Sequence, residues 1–419
     1  MSDTLDLNLI PGLPRIFADY VLNFDRVRGL YRWDYRSIDS VSSAGVSCRS
    51  GFADRREIKP ILLEQNKRFS DDKSVMENIE KLCDGGCAVV TGQQIGLFCG
   101  PLYTLYKAAT AIRLAEELNR KGPDQHVPIF WMECEDHDIL EVGHVHILDS
   151  AHRVLTLTAY ETPGRRPTGS YQVDERVKGL IEQLKTNSQA SQYLDIVLQL
   201  IEDSYKPNTP LSEGFGRLMA ALFRGKGLVI VDPRDPAVKR LTSRVYVRAV
   251  REWSQLNQAI SDSSARLKEL GYEPQIRVEK KHPPFFLIED ERRVQLSWEG
   301  DVFIGNGGET RITQSELASI AAKSPEQLSP NVSLRPLIQD HLFLTIAYIA
   351  GPGEISYFPQ IAPLYQILNM DMPAIFPRAG MTLVEPVVRR IIEKLGAEVI
   401  DFFRNEKDLA EMFLAKAGA

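Results

Sequence analysis

Scarcity narrows the field for these 419 residues before any motif does. The 5 cysteines, Cys48, Cys83, Cys87, Cys99 and Cys134, form an odd and sparse set in a long chain, which argues against a disulfide framework and fits a reducing compartment. No stretch stays apolar for the ~18 residues that a membrane-spanning helix takes, and the most apolar one, Leu342 to Ala350, reaches about half of that. Met1 to Asn23 has no basic head followed by an unbroken apolar run, because Asp3, Asp6, Pro11, Pro14 and Arg15 interrupt it. No export signal is read there, and a cytoplasmic location without membrane contact is expected. Cationic excess is missing too: Lys plus Arg is 50 against 56 for Asp plus Glu, a formal net charge of −6. That balance counts against a general grip on nucleic acid and leaves room for a local basic pocket. There is no fixed-period repeat and no low-complexity tract. No Gly-x-Gly-x-x-Gly follows a strand with an acidic residue at the expected offset, which disfavours a dehydrogenase.

What is present is an ordinary globular composition, 43% apolar and 25% charged, long enough for two or three packed units. Residues 15 to 82 read as helical, since Lys59 to Arg68 and Asp72 to Leu82 carry apolar residues at spacings of three and four. The character changes at Cys87-Ala88-Val89-Val90, a buried-strand pattern that leads into the glycine-rich Thr91 to Pro101. Pro101 suits a first helical turn, and Leu102, Leu105, Ala109, Ile112, Ala115 and Leu118 form one apolar stripe behind it. A second strand, Val127 to Met132, follows. Ala88 to Met132 is therefore a βαβ unit with parallel strands, and ligands are expected at their carboxyl ends. Gly227 to Pro233 and Met372 to Phe376 resemble further strands of the same α/β sheet. Between them lie insertions, with strand text at Arg153 to Tyr160 and hairpin signals at Glu299-Gly300-Asp301 and Gly305-Asn306-Gly307-Gly308. The expected division is a helical layer over 1–84, sheet core over 85–150, 227–264 and 326–400, insertions over 151–226 and 265–325, the second β-rich, and a helical end from 401 to 419.

Three constellations carry candidate chemistry. In the first, Gly92, Gly96 and Gly100 recur at intervals of four between strand and helix. Glycines there let amides approach a phosphate or carboxylate near a helix start, with Gln93 and Gln94 as side-chain donors, but they serve equally to make a tight turn. The second, Glu133-Cys134-Glu135-Asp136-His137-Asp138 with Glu141, His144 and His146 downstream, flanks an imidazole with carboxylates. Such crowding shifts pKa values and favours a functional Asp136 and His137 over a solvated acidic loop. A metal held by His137, His144, His146 and Asp136 or Asp138 has suitable ligand chemistry and ranks below acid/base use. His144 and His146 would share one face of a strand. The third runs from Asn331-Val332-Ser333-Leu334-Arg335-Pro336 through Gln339-Asp340-His341 to Gly351-Pro352-Gly353-Glu354-Ile355-Ser356-Tyr357 and Gln360. Arg335 and Arg378 can clamp carboxylates or phosphates bidentately, unless Arg335 is spent on an internal ion pair with Asp340. Cys87 reads as core and not as half of a zinc site with Cys83, Trp131 as wall, and Lys280-Lys281-His282 as a solvated cluster.

Taken in order, Val90-Thr91-Gly92-Gln93-Gln94, Gly100-Pro101-Leu102-Tyr103-Thr104-Leu105-Tyr106-Lys107, Phe130-Trp131, Glu135-Asp136-His137-Asp138 with Glu141, Leu334-Arg335-Pro336 and Gly351 to Tyr357 resemble the bacillithiol biosynthesis cysteine-adding enzyme family. Weaker likeness at Asp232-Pro233, Asp235-Pro236, Pro274-Gln275-Ile276 and Pro377-Arg378 extends it over nearly the whole chain. The resemblance implies a Rossmann-like fold similar to class I aminoacyl-tRNA synthetases, with inserted connecting segments and a C-terminal coiled coil for dimerisation. Ala419 falls about where that coiled coil would begin, so it is expected to be absent or truncated and the homodimer is left open. Cys134 and His341 stand where the family pattern would have other residues. The implied activity is a ligase that joins cysteine to the amine of glucosaminyl-malate, with ATP as co-substrate, accompanied or not by Mg²⁺, and no resident metal. In that picture His137, Asp136 and Asp138 are catalytic, and Thr91, Gly92, Gln93, Gln94, Gly96, Gly100 and Tyr103 hold the nucleotide phosphates. Glu135, Glu141, Arg335, Asp340, Glu354, Tyr357, Gln360 and Arg378 bind substrate. The alternatives are a relative that binds nucleotide or sugar without turnover, and a His/Asp metal-dependent hydrolase.

Overall fold

The computed structural model describes residues 4–47 and 55–417, so Cys48 and the terminal Gly418 and Ala419 lie outside the described residues. At its centre is a parallel sheet of β1 (Cys87–Gln94), β2 (His126–Glu133), β3 (Val229–Val231), β4 (Thr345–Ala350) and β5 (Ala374–Pro377), in the order β5-β4-β1-β2-β3. Strands covered on both faces need apolar residues at every position and not at alternate ones, and β4 is buried throughout. The chain begins at the middle strand, builds outward through β2 to β3, and later returns to the other side of β1 with β4 and β5. The direction of winding therefore reverses between β1 and β4. Connections leave these two strands on opposite faces and open a crevice at their carboxyl ends.

Between β1 and β2 crosses helix α1 (Tyr103–Lys121), whose buried Ala108, Ala111, Ile112, Leu114, Ala115 and Leu118 supply the packed face. The register runs from Cys87 opposite His126 to Gln94 opposite Glu133. Thr91 to Gln94 thus belong to the strand, and the connection shrinks to Ile95 to Leu102. Pro101 lies just before the helix, its carbonyl accepting the Thr104 amide at 2.9 Å. The apolar stretch after Asp340 is β4, the parallel neighbour of β1.

The N-terminal layer is helical, with α-helices at Arg15–Leu22, Ile38–Ser47, Arg55–Phe69 and Lys73–Cys83. Helix α2 (Pro236–Glu269), 34 residues long, starts at an Asp235 cap with Pro236 in its first turn. Val238, Thr242, Val245, Ala249, Trp253, Leu256 and Ile260 bury one stripe of it. Helices α3 (Arg335–Leu342) and α4 (Pro352–Ile367) flank β4. An antiparallel hairpin, His144–Leu148 with Val154–Thr158, follows the first crossover unit. Two small antiparallel sheets fill the later insertion. The turn at Glu299 to Val302 and the Asn306–Gly308 segment join strands as their glycines suggest. A further hairpin, Phe285–Glu289 with Arg292–Gln295, turns through Asp290 and Glu291, both at positive φ without a glycine to mark them. No helix among the described residues is long and apolar enough to cross a membrane.

Candidate active site

The carboxyl edge of β1, β2, β4 and β5 frames a cleft of about 320 Å³. Gln93 and Glu133 enter it from the ends of β1 and β2, Tyr103 and Lys107 from the first turns of α1, Gly351, Glu354 and Tyr357 from the start of α4, and Arg378 from just beyond β5. Its floor is a buried ionic lattice. The Arg335 guanidinium at the head of α3 is 8% exposed, and its Nε lies 3.2 Å from Glu133 Oε1. Its Nη1 donates to Gln339 Oε1 at 3.0 Å, and its Nη2 to the hydroxyls of Tyr348 at 3.0 Å and Tyr357 at 3.4 Å. Arg335 therefore pairs with Glu133 and not with Asp340, whose carboxylate accepts from Gln339 Nε2 and the Tyr365 hydroxyl. Burial pushes the Asp340 carboxyl up to about 6 against the pull of those donors.

A second buried pair completes the floor. Lys107 Nζ lies 2.5 Å from Glu354 Oε2 and donates to the Gly92 carbonyl at 2.7 Å. Glu354 caps α4 by accepting the Gly351 amide at 2.7 Å and also takes the Tyr348 hydroxyl at its other oxygen. Burial alone would raise its pKa, but Lys107, the Gly351 amide and Tyr348 outweigh burial and lower it. Arg378 on the rim is different. Its guanidinium sits 5.3 Å from the Tyr103 ring centroid and donates to the Ala379 carbonyl at 2.8 Å. Among the described residues no carboxylate is within ion-pair distance of it. Desolvation lowers its pKa against the pull of Glu354, and a guanidinium remains cationic at neutral pH.

Beside the cleft runs the acidic loop after β2. Glu135 is buried and receives the Lys239 ammonium, which also donates to Tyr246 Oη at 2.9 Å and Leu328 O at 2.7 Å. Burial raises the Glu135 pKa in spite of that partner. Asp136 Oδ1 accepts the His137 amide at 2.8 Å and Arg293 Nη1 at 2.8 Å. Burial works against its charge, yet His137, Arg293 and the amide together lower its pKa to about 2. His137 keeps 41% of its side chain exposed, with Nδ1 3.3 Å from Arg293 Nη1 and 3.4 Å from Asp136 Oδ1. Asp138 accepts the Glu141 amide and caps the short helix Ile139–Val142. At the tip of β1, Gln94 donates to both Asp136 and Glu141. Cys134 is buried under this loop, its thiol donating to Asp232 Oδ1 at 3.2 Å.

The glycine loop folds on itself. A Cβ at Gly96 would meet Gly100 Cα at 2.7 Å, so the four-residue spacing lets two backbones touch in a tight turn. A Cβ at Gly92 would come 3.0 Å from Glu133 Oε1 and 3.4 Å from Arg335 Nη1, so that glycine leaves room for their ion pair. Thr91 is buried and its hydroxyl ties β1 to the Ile349 carbonyl of β4. Of the groups expected to hold phosphate, Gln93 and Tyr103 line the cleft together with Arg378, while Gly96 and Gly100 are spent on the turn. Gln360 is fully buried, accepting from the amides of Gln275 and Ile276 and donating to Ser264 and the Ile276 carbonyl. It fastens α4 to the insertion and does not line the cleft. His144 Nδ1 contacts the Leu140 carbonyl and His146 Nδ1 the Thr156 hydroxyl. Among the described residues no three His, Cys, Asp or Glu side chains gather where they could hold a metal.

Lys107, Lys239 and Arg293 are site residues that the sequence does not single out, and Glu133, read there only as one carboxylate of the acidic constellation, lines the cleft. For Lys107 a signal existed, since it interrupts the small-residue face of α1 four positions after Tyr103. Arg293 offered none.

A family model for the N-terminal Rossmann-like domain of the bacillithiol biosynthesis protein BshC matches residues 4–379. A curated protein of Salinibacter ruber named "Putative cysteine ligase BshC" is 36% identical over 399 residues, which is 93% of this chain and 72% of the relative. Proteins of the same name are 34% identical over 419 residues in Koribacter versatilis, covering 99% of this chain and 77% of the relative, and 35% identical over 408 residues in Chloroherpeton thalassium, covering 94% and 71%.

Proposed function

This chain belongs to the BshC family of bacillithiol biosynthesis, and from that premise we propose that it is an ATP-dependent ligase forming an amide between the carboxyl group of cysteine and the amine of glucosaminyl-malate. A carboxylate does not condense with an amine at neutral pH until its oxygen becomes a leaving group. In the proposed reaction a cysteine carboxylate oxygen attacks the α-phosphorus of ATP and expels pyrophosphate, giving cysteinyl-adenylate. The sugar amine then attacks the acyl carbon, AMP departs, and the amine gives up a proton.

The observation that carries this reading is the mixture of charge lining the cleft at the point where winding reverses: the Arg378 guanidinium, with no ion-pair partner among the described residues, in the same lining as the carboxylates of Glu133 and Glu354. A cleft holding both signs suits a zwitterionic amino acid and an anionic partner. Arg378, backed by Tyr103, takes a malate carboxylate or a phosphate. Gln93 and the first turn of α1 face the nucleotide phosphates. Glu133, held in place by Arg335, orients the cysteine ammonium. His137, with Asp136 behind it, accepts the proton of the attacking amine. Mg²⁺ accompanies the nucleotide as part of the substrate and needs no protein cage.

The test is incubation of the purified chain with ATP, Mg²⁺, cysteine and glucosaminyl-malate, followed by mass spectrometry. Condensed thiol together with stoichiometric AMP is expected. ADP in place of AMP overturns the adenylate, and sugar binding without any condensed product points to a relative that binds but does not turn over.

A further inference from the structure

Five carboxylates, Glu133 at the end of β2, Glu135, Asp136 and Asp138 in the loop that follows and Glu141 in the short helix beyond it, lie close in sequence, and three of them receive a cation from a distant part of the chain. Arg335 and Lys239 come from helices that cross the sheet region. Arg293 comes instead from the hairpin Phe285–Glu289 with Arg292–Gln295, outside the parallel sheet and 157 residues from Asp136 in sequence.

The hairpin leaves that guanidinium little freedom. It lies 3.7 Å from the Phe286 ring centroid, Nε donates to Ser329 Oγ at 3.1 Å, and Nη2 donates to the Pro330 carbonyl at 2.7 Å. The Arg293 amide is itself held by the Arg165 carbonyl at 2.7 Å. Only Nη1 is left to face the loop, 2.8 Å from Asp136 Oδ1 and 3.3 Å from His137 Nδ1. The side chain is 7% exposed, so water does not substitute for it easily.

We infer that Arg293 is the positioning residue of the site, an arm of the β-rich insertion that fixes the Asp136 carboxylate and, through it, the backbone and ring of His137. The inference rests on the ligase reading for what His137 does, and on geometry alone for how it is held. Without Arg293, the half-buried Asp136 carboxylate is left with the His137 amide and the Gln94 side chain as donors and loses its link to the β-rich insertion. Its carboxylate then turns toward solvent and gives up the His137 amide. The backbone of this loop is also held by the first insertion, where the Thr168 amide donates to the Asp136 carbonyl at 2.6 Å, but among the described residues the side-chain ties of Asp136 and His137 to the β-rich insertion are Arg293 and the packing of the His137 ring near Phe286.

The experiment uses the full chain as wild type, Arg293→Met, Arg293→Lys, Asp136→Asn and the Arg293→Met/Asp136→Asn double variant. In the condensation assay Arg293→Met is expected to lower kcat about 100-fold while the KM values for cysteine and ATP move less than about twofold, and Arg293→Lys to recover about tenfold. The double variant is expected to be no slower than the slower single variant, because both changes cut one connection. A folded Arg293→Met protein with kcat within about twofold of wild type overturns the inference, as do losses that multiply in the double variant. Should Arg293→Met fail to fold, Arg293→Lys carries the same comparison: kcat within about twofold of wild type, or a loss shared equally by kcat and KM, overturns it, and a loss confined to kcat supports it. A wild type that makes no condensed product removes the ligase reading but not the clamp. The clamp is then decided by hydrogen exchange at the His137 amide, expected to quicken about tenfold or more in the Arg293 variant and overturned if unchanged.

Discussion

The floor and the rim of the cleft each hold an arginine, and the two arginines are in opposite circumstances. Arg335 is surrounded: one carboxylate, one amide oxygen and two hydroxyls take its donors within 3.4 Å. Arg378 is half-buried, stacks on Tyr103 and donates to the backbone carbonyl of the next residue, with no carboxylate within ion-pair distance among the described residues. From residue type alone both looked like clamps for an anionic substrate. The difference teaches that a buried guanidinium must find its partners inside the protein, because leaving it bare would cost more than folding can supply, whereas a rim guanidinium can keep donors in reserve for a ligand. In the proposed reaction, then, the floor would act by holding Glu133 and Glu354 in place and the rim by touching the substrate.

Removing the floor cation is the harshest way to probe that contrast. Arg335→Ala leaves Glu133 without its cation and the Tyr357 hydroxyl without a partner, and is expected to cost about 3–5 kcal/mol in urea unfolding, with Arg335→Lys recovering only part. A loss below about 1 kcal/mol would mean that the floor is no more structural than the rim.

Next in size is the pH response of the floor. Asp340 has its folded pKa raised from an ordinary carboxyl value to about 6, so the folded state holds its proton more tightly than the unfolded chain does. That contribution to stability is complete below the unfolded pKa and is lost as pH rises through about 6. Between roughly pH 4 and 6, wild type is expected to lose on the order of 2–3 kcal/mol relative to Asp340→Asn, read as diverging urea midpoints. Parallel midpoints would place Asp340 in a wetter setting than a sealed floor provides.

Smallest for stability is the rim. Arg378→Ala is expected to unfold within about 0.5 kcal/mol of wild type. In the condensation assay the same variant should raise the KM for the dicarboxylate acceptor about tenfold or more, since one charge-assisted contact is lost. An Arg378→Ala protein as unstable as Arg335→Ala would erase the distinction between the two regions.

Much of the sheet was legible because parallel strands buried on both faces have to be written as short apolar runs ending in polar loops. Cys87 to Val90, Val127 to Met132, Gly227 to Val231 and Met372 to Phe376 all carry that text and all contribute strands. Leu342 to Ala350 carried it too, but sits between an arginine-bearing helix and a Gly-Pro-Gly turn, and its place beside β1 came only from the pairing. The hairpin that bears Arg293 was hidden because Asp290 and Glu291 adopt left-handed backbone without a glycine to announce the turn. In the glycine loop the spacing was visible and its purpose was not, since a contact between Gly96 and Gly100 and a cradle for phosphate are spelled alike.

Local sequence by itself determined the helical N-terminal layer, the βαβ crossover, the edge at which a site must form and the acidic loop placed there, because periodicity and strand-end chemistry act over a few residues. Only the tertiary structure decided how the charges pair. Glu133 with Arg335, Glu135 with Lys239 and Asp136 with Arg293 are joined across long stretches of chain, and in a buried setting the partner is whichever opposite charge the fold carries within hydrogen-bond reach.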